Sequence, residues 1–284
     1  MQTARTITEI RALVAQARAD GKTVGLVPTM GALHIGHASL IDAAASRCDY
    51  VVVSLFVNPT QFGPNEDFER YPRPFEKDVE VCKTHGADAI FTPTPAEMYP
   101  RTNLTWVTVE KVTEPLCGRS RPGHFRGVAT VCTKLFNIVG PDAAFFGQKD
   151  AQQVAVIRRM VADLNMPLEI VVCPTVREPD GLAVSSRNQY LSPQERGQAP
   201  VIRRALRRCE ELAESGEQNA SVIVEAMLKI LGEAPALQVE YVSLVDAESL
   251  EAVDRVNGRV LVAIAARLGS TRLIDNIVVD KTGR

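Results

Sequence analysis

The sequence predicts an α/β protein: a doubly wound parallel sheet over residues 1–175, then a smaller α+β domain over residues 176–284. Three observations carry that expectation. Short β-branched apolar runs alternate with helical periodicities through the first two-thirds of the chain, as strands covered on both faces by crossover helices require. Two of the strand-to-helix junctions, residues 28–37 and 145–153, carry glycine together with imidazole or charged side chains. Beyond residue 176 the order changes to helices followed by strands.

Taken in order, the N-terminal stretch MQTARTITEIRALVAQARADGK has the pattern of an amphipathic helix and lacks the charged-then-apolar pattern of an export signal. Residues 24–27 form an apolar run ended by Pro28, and a helix follows with Ile35, Ala38, Ile41 and Ala45 on one face. Residues 50–57 (YVVVSLFV) are too rich in β-branched side chains to prefer a helix. A helical stretch over 75–85 leads to a third strand at 89–91, and Val128, Val131, Leu135 and Ile138 mark another helix before a strand at 143–146. Val154, Ile157, Val161 and Leu164 have helical spacing, and residues 169–173 return as a strand. Such a Rossmann-like sheet binds ligands beyond the carboxyl ends of its strands, where the strand order switches. After the polar loop REPDGLAVSSRN come two helices, striped by Ile202, Ala205, Cys209 and Leu212 and by Ile223, Met227 and Ile230. Strands at 239–245, 260–266 and 273–279 complete the second domain, with antiparallel pairing expected.

Composition narrows the function. Hydrophobic residues make up 45% and charged residues 23% of the 284, enough for a core without disulfides or metal staples. The 32 basic and 34 acidic side chains leave a formal charge of −2, which gives no general field for nucleic acid or an anionic membrane. The six cysteines form no C-x-x-C pair and no metal-ligand spacing with the four histidines, so reduced thiols, a cytoplasmic location and no resident metal are expected. No apolar run approaches the roughly 20 residues of a membrane helix.

The chemistry concentrates in five stretches. In PTMGALHIGH, residues 28–37, Gly31 lets the backbone turn tightly, and His34 and His37 present two imidazoles to one side of a helix start. That helix N-terminus suits phosphate. The plainer alternative is that the two histidines cap the helix or face solvent. In FFGQKDAQQ, residues 145–153, Gly147 permits close approach, Lys149 offers a compact positive charge, Asp150 stands at an N-cap position and Gln153 can read a hydroxyl or carboxylate; the alternative is a capped helix with a solvated lysine. AVSSRN, residues 183–188, puts two hydroxyls and a guanidinium on a loop able to close over a triphosphate, unless it is only a linker. The long loop 56–73 offers the amides of Asn58 and Gln61 beside Phe62, and residues 118–127 gather Arg119, Arg121, His124 and Arg126 into a local cationic patch. Adenylyl transfer to a carboxylate needs no proton removal, because the nucleophile is already ionised; alignment and charge stabilisation are what such a site supplies.

Together and in this order, PTMGALHIGH, FVNPTQF, RPGHFRGVATV, FGQKDAQQ and VREPDGLAVSSRN resemble the signatures of the pantoate–β-alanine ligase family. H-x-G-H alone occurs across the wider nucleotidyltransferase superfamily; the joint set is what identifies the substrate. The resemblance implies that ATP and Mg²⁺ bind between the domains, the second acting as a lid. Pantoate then becomes an adenylate with loss of pyrophosphate, and β-alanine displaces AMP. It further implies that Met30, Gly31, Ala32, Leu33, His34, Ile35, Gly36 and His37 contact ATP, with His37, His34 and Lys149 catalytic. Gly147, Gln148, Lys149, Asp150, Val176, Val184, Ser185, Ser186 and Arg187 would complete the nucleotide site, and Gln61, Gln153 and Asn58 would serve pantoate and β-alanine. A homodimer through the N-terminal domain is implied as well. The chain departs from the family pattern at Gln148, where glutamate is common, at Ala151, where an aromatic is common, and at Val184, where Met or Leu is frequent; none of these removes a group that the chemistry requires. Competing readings are a nucleotidyltransferase that leaves the nucleotide on a phosphorylated acceptor, and a non-catalytic nucleotide-binding module.

Overall fold

The computed structural model describes residues 1–64, 66 and 68–281. The chain divides into two compact units: Met1–Glu110, Ser120–Gly147 and Val156–Pro174 form the first, and Lys111–Arg119, Gln148–Ala155 and Thr175–Arg284 the second. The second unit thus takes in two short segments that precede residue 176.

In the first unit, β1 (Gln2–Ala4), β2 (Val24–Thr29), β3 (Tyr50–Leu55), β4 (Ala89–Phe91), β5 (Ala143–Gly147) and β6 (Glu169–Cys173) form one sheet in the order β1-β4-β3-β2-β5-β6, with every pairing parallel. Along the chain up to β6 the helices are α1 (Ile7–Ala19), α2 (Ile35–Ala45), α3 (Phe75–Thr84), α4 (Pro95–Met98), α5 (Cys117–Ser120), α6 (His124–Val139) and α7 (Ala151–Asp163), of which residues 117–119 and 151–155 belong to the second unit. Leu40 and Ile41 of α2 and Cys82 of α3 join Val27, Val51, Val53 and Ile90 in one core cluster. The alternate residues Leu26 and Val52, fully buried, point to the opposite face, as the two-residue period of a strand dictates. Burial on both faces explains why the strands read as unbroken apolar runs. From β2 the chain adds β3 and β4 on one side, then returns to add β5 and β6 on the other. The switch in strand order therefore falls between β2 and β5, the two strands that run into PTMGALHIGH and FGQKD.

The second unit is an antiparallel sheet of β7 (Leu237–Asp246), β8 (Gly258–Leu268) and β9 (Thr271–Lys281), with α8 (Pro193–Gln198), α9 (Val201–Glu214) and α10 (Ala220–Leu231). Ile202, Leu206 and Cys209 of α9 and Ile223 and Met227 of α10 share a core with Val260, Val262 and Ile264 of β8. The α/β sheet followed by a small α+β domain is thus the architecture that the sequence predicts.

Four local readings need correction. The N-terminal helix starts only at Ile7; residues 2–4 instead pair with β4, a tertiary contact too short to leave a period in the sequence. On α2, Ile35 is 65% exposed and Ala45 is exposed, so the buried stripe is Ala38, Leu40, Ile41 and Ala44. Leu164 lies one residue beyond α7 and is 51% exposed. The short α8, opened by a Ser192–Glu195 capping box, had too few apolar positions to show a helical period. Among the described residues, no helix is long and apolar enough to cross a membrane. Cys82, Cys132, Cys173 and Cys209 are buried, and burial pushes the thiols of Cys82, Cys132 and Cys209 up to about 12, which keeps them in the unreactive protonated form.

Candidate active site

The loop after β2 is strained and held from behind. Gly31 (φ 82°) and Ala32 (φ 52°) are both left-handed. An L-residue such as Ala32 gives up about 1–2 kcal/mol there. Asp78 of α3, 3% exposed, offsets that cost: its carboxylate accepts hydrogen bonds from the Ala32 N–H at 2.9 Å and the Leu33 N–H at 2.7 Å. A Cβ on residue 31 would lie 2.9 Å from Asp78 Oδ2, so only glycine fits the turn. Burial pushes the Asp78 carboxyl above its ordinary value, and the two N–H donors offset this only in part.

The loop delivers His34 and His37 to the start of α2. His34 Nδ1 accepts from the Gly36 N–H at 3.1 Å, and His37 Nδ1 accepts from the His34 N–H at 3.3 Å, a capping box built from imidazoles. The rings stack with centroids 4.0 Å apart. A backbone N–H can only donate, so each Nδ1 presents a lone pair and the proton of each neutral ring sits on Nε2. Capping and ligand binding are therefore compatible: the cap uses Nδ1 and fixes Nε2–H as the donor.

Met30 of the same loop meets the segment after β3. Gln61 Nε2 donates to Met30 Sδ at 3.1 Å, and Gln61 Oε1 accepts from Asn58 Nδ2 at 3.0 Å. Asn58 is 1% exposed; it also donates to the Gly127 carbonyl at 3.2 Å and accepts from Tyr99 Oη and Thr60 Oγ1, both at 2.9 Å. Its amide is spent inside the protein, holding Gln61. Gly127 of α6 makes this contact possible, since a Cβ there would stand 2.3 Å from the Thr60 carbonyl oxygen and 2.8 Å from Gln61 Cα. The cationic patch is largely tied down. Arg121 grips Glu66 through Nε and Nη2, each at 2.6 Å, and donates to His124 Nε2 at 3.0 Å, while His124 Nδ1 donates to the Gln61 carbonyl at 2.8 Å. Burial would raise the Glu66 carboxyl, but the Arg121 hydrogen bonds and charge more than offset it and hold it below its ordinary value. Arg126 lies over the Trp106 ring at 4.7 Å. Within residues 56–73, Asn65 and Asp67 lie outside the described residues.

The remaining candidates are in the second unit, apart from Gly147, which ends β5. Gln148–Asp150 form a 3-10 turn, with Lys149 Nζ 3.9 Å from Asp150 Oδ1. Buried Asn276 of β9 braces the turn: its Nδ2 donates to the carbonyls of Gln148 (3.0 Å) and Lys149 (2.9 Å), and its Oδ1 accepts from Gln148 Nε2 (2.9 Å). The next two glutamines separate in role. Gln152 is buried and fastens the Cys117 N–H and the carbonyls of Val112 and Pro115, whereas Gln153 is half-buried. Val176 and Val184 come together, the Val184 N–H donating to the Val176 carbonyl at 3.0 Å, and Arg177 pairs with Ala183 in an isolated bridge. Ser185 then caps a 3-10 turn over Ser186–Tyr190 by accepting from the Arg187 N–H at 3.3 Å. The segment read as a plain loop is thus a small hairpin leading into a capped turn. Among the described residues, no group of three or more His, Cys, Asp or Glu side chains is placed to hold a metal ion.

Asp78, Gln152, Asp275 and Asn276 were not anticipated as site-supporting residues. The signal for three of them was a polar side chain at an apolar position: Asp78 shares the face of α3 that carries Phe75 and Cys82, and Asp275–Asn276 interrupt an apolar strand.

Comparison with known proteins decides the family. The family model described as pantoate–β-alanine ligase matches residues 2–278. The chain belongs to the pantoate–β-alanine ligase family. It is 53% identical to the pantothenate synthetase of Acetivibrio thermocellus over 99% of this chain and 100% of that one, and 55% identical to that of Geobacter sulfurreducens over 97% of both. The crystal structure of pantothenate synthetase from Thermus thermophilus superposes with a TM-score of 0.93 at 45% identity, covering 98% of this chain and 99% of that one. The pantoate–β-alanine ligase from Francisella tularensis, crystallised with beta-gamma ATP and β-alanine, gives a TM-score of 0.80 at 34% identity over 100% and 99%. These ligases share with this chain both the parallel sheet and the smaller antiparallel domain.

Proposed function

We propose that this protein condenses (R)-pantoate with β-alanine to form pantothenate, using ATP. In the first step a pantoate carboxylate oxygen bonds to the α-phosphorus of ATP and the bond to the β-phosphate bridging oxygen breaks, giving pantoyl adenylate and pyrophosphate. In the second, the β-alanine amine attacks the adenylate carbonyl carbon, the C–O bond to AMP breaks, and the amine loses a proton. Family membership over nearly the whole chain is the observation that carries this reading.

The residue roles that fit it are these. The segment from Met30 to His37 contacts ATP, and the Nε2–H groups of His34 and His37 stabilise charge developing on the α-phosphate and its leaving group. Lys149, in the Gly147–Asp150 stretch, adds a point charge beside the phosphates. Val176 and the run Val184, Ser185, Ser186 and Arg187 complete the nucleotide contacts. Gln61 and Gln153 hold pantoate, and Asn58 serves the acid by fixing the Gln61 amide. Mg²⁺ arrives on the triphosphate as part of the nucleotide substrate, needing at most one or two carboxylates from the protein. A homodimer in the cytoplasm, with the N-terminal unit binding nucleotide and pantoate and the C-terminal unit closing as a lid, completes the proposal. The deciding experiment measures AMP and pyrophosphate with each substrate omitted in turn. Pyrophosphate without AMP is expected when only β-alanine is left out; absence of AMP from the complete mixture would overturn the ligase reading.

A further inference from the structure

Strand β9 carries two adjacent buried polar residues, Asp275 (3% exposed) and Asn276 (4%), among Leu273, Ile277 and Val279. Such groups are costly to bury without partners, and here each is fully engaged. Because successive strand side chains point to opposite faces, the pair reaches two different segments. Asn276 spends both amide hydrogens on the carbonyls of Gln148 and Lys149 and its oxygen on Gln148 Nε2. Asp275 takes a bidentate pair from Arg177, with Nη1 at 2.6 Å and Nη2 at 3.0 Å, and also accepts from the Asn276 N–H at 2.8 Å. Arg177 in turn donates to the Gly181 carbonyl at 3.1 Å, closing the hairpin that leads to Ser185 and Arg187. Two segments distant in sequence, the lysine turn and the serine–arginine turn, are thus anchored to one dipeptide.

We infer that Asn276, supported by Asp275, is a positioning residue: it sets the backbone of the Gln148–Lys149 turn and so aims the Lys149 ammonium. This rests on the assignment of Lys149 to the phosphates of ATP. It also accounts for the amide at position 148, because a carboxylate there has no hydrogen to give to Asn276 Oδ1.

The test is a double-mutant cycle on single-turnover pyrophosphate release, with Asn276→Ala, Lys149→Ala and the double variant. Asn276→Asp, nearly isosteric, can accept from Gln148 Nε2 but has no N–H for the two carbonyls, and it serves where the alanine variant fails to fold. Loss of alignment slows such a step by about 10- to 100-fold. Asn276→Ala or Asn276→Asp is expected to slow adenylation by that factor with the KM for pantoate unchanged, and the double variant should be no slower than Lys149→Ala, because residues acting through one another are not additive. Losses that multiply in the double variant, or normal adenylation by Asn276→Asp, would overturn the positioning role. Normal adenylation by Lys149→Ala would instead overturn the assignment of Lys149 on which the inference rests.

Discussion

Asp78→Asn offers the sharpest test of how the site is built. In the wild type two charge-assisted N–H bonds, at 2.9 and 2.7 Å, hold the left-handed residues after β2. Hydrogen bonds to a charged group contribute about 1.5–3 kcal/mol each, but burying the carboxylate outweighs them, which is why its proton is held above the usual Asp range. Asparagine keeps the volume and can accept one of the two N–H groups; its own NH₂ must then face the other. One buried N–H is left unmade, at about 1–3 kcal/mol, against the relief of removing a buried charge. The net change in global stability is therefore small, while the loop loses one of its two anchors. Single-turnover adenylation is expected to slow by about 10- to 100-fold, and the Ala32 and Leu33 amides to lose protection from hydrogen exchange. Adenylation within twofold of wild type, with both amides still protected, would refute the reasoning. The pH dependence supplies a second check. A raised carboxyl value means that the folded protein holds a proton where the unfolded chain has released it. The Asp78 contribution to stability is thus present in full below the ordinary value of 3.8 and is lost as pH rises through the folded value. Denaturant titrations across that window should show a slope in the wild type that Asp78→Asn lacks.

Three further outcomes are expected. His37→Ala removes one Nε2–H donor and should slow adenylate formation by roughly 100-fold or more, while the lost cap contributes only about 1 kcal/mol to stability; near-normal pyrophosphate release in a single turnover would return His37 to a purely capping role. Gly127→Ala drives a Cβ against the Thr60 carbonyl and Gln61 Cα; overpacking of this kind costs about 1–3 kcal/mol, and the KM for pantoate should rise more than that for ATP, an unchanged pantoate KM counting against the placement of Gln61. Glu66→Gln breaks the fork with Arg121. Because the folded Glu66 carboxyl lies below 4.5, the stability difference between wild type and variant should be complete above that value and vanish as pH falls through the folded one, as denaturation at a series of pH values would reveal.

Much of the fold was legible because the physics that writes it is local. β4 and β6 coincide with the apolar runs at 89–91 and 169–173, and β7, β8 and β9 extend the three C-terminal runs by one or two residues at each end. Two of the failures, β1 and Ile35, are tertiary context overriding a local pattern. β1 exists only because β4 offers it an edge. Ile35 opens α2 in phase with Ala38 and Ile41, yet it is 65% exposed, while Ala38 and Ile41 are buried.

The candidate site divides along the same line. The groups proposed to face a ligand sit on short turns with glycine, histidine, lysine or hydroxyl side chains close together, so they stand out in the chain. Groups that hold those turns come from anywhere: Asp78 lies 46 residues beyond Ala32, and Asn276 lies 127 beyond Lys149. Such residues carry no motif, and only their polarity at an apolar position betrays them. The division follows from the reaction. A carboxylate that attacks phosphorus needs no base, so the protein contributes alignment and fixed donors, and alignment demands turns that are rigid before the substrates arrive. A left-handed Ala32 locked by a buried carboxylate, and a lysine turn pinned at two consecutive carbonyls, are what that demand looks like in a folded chain.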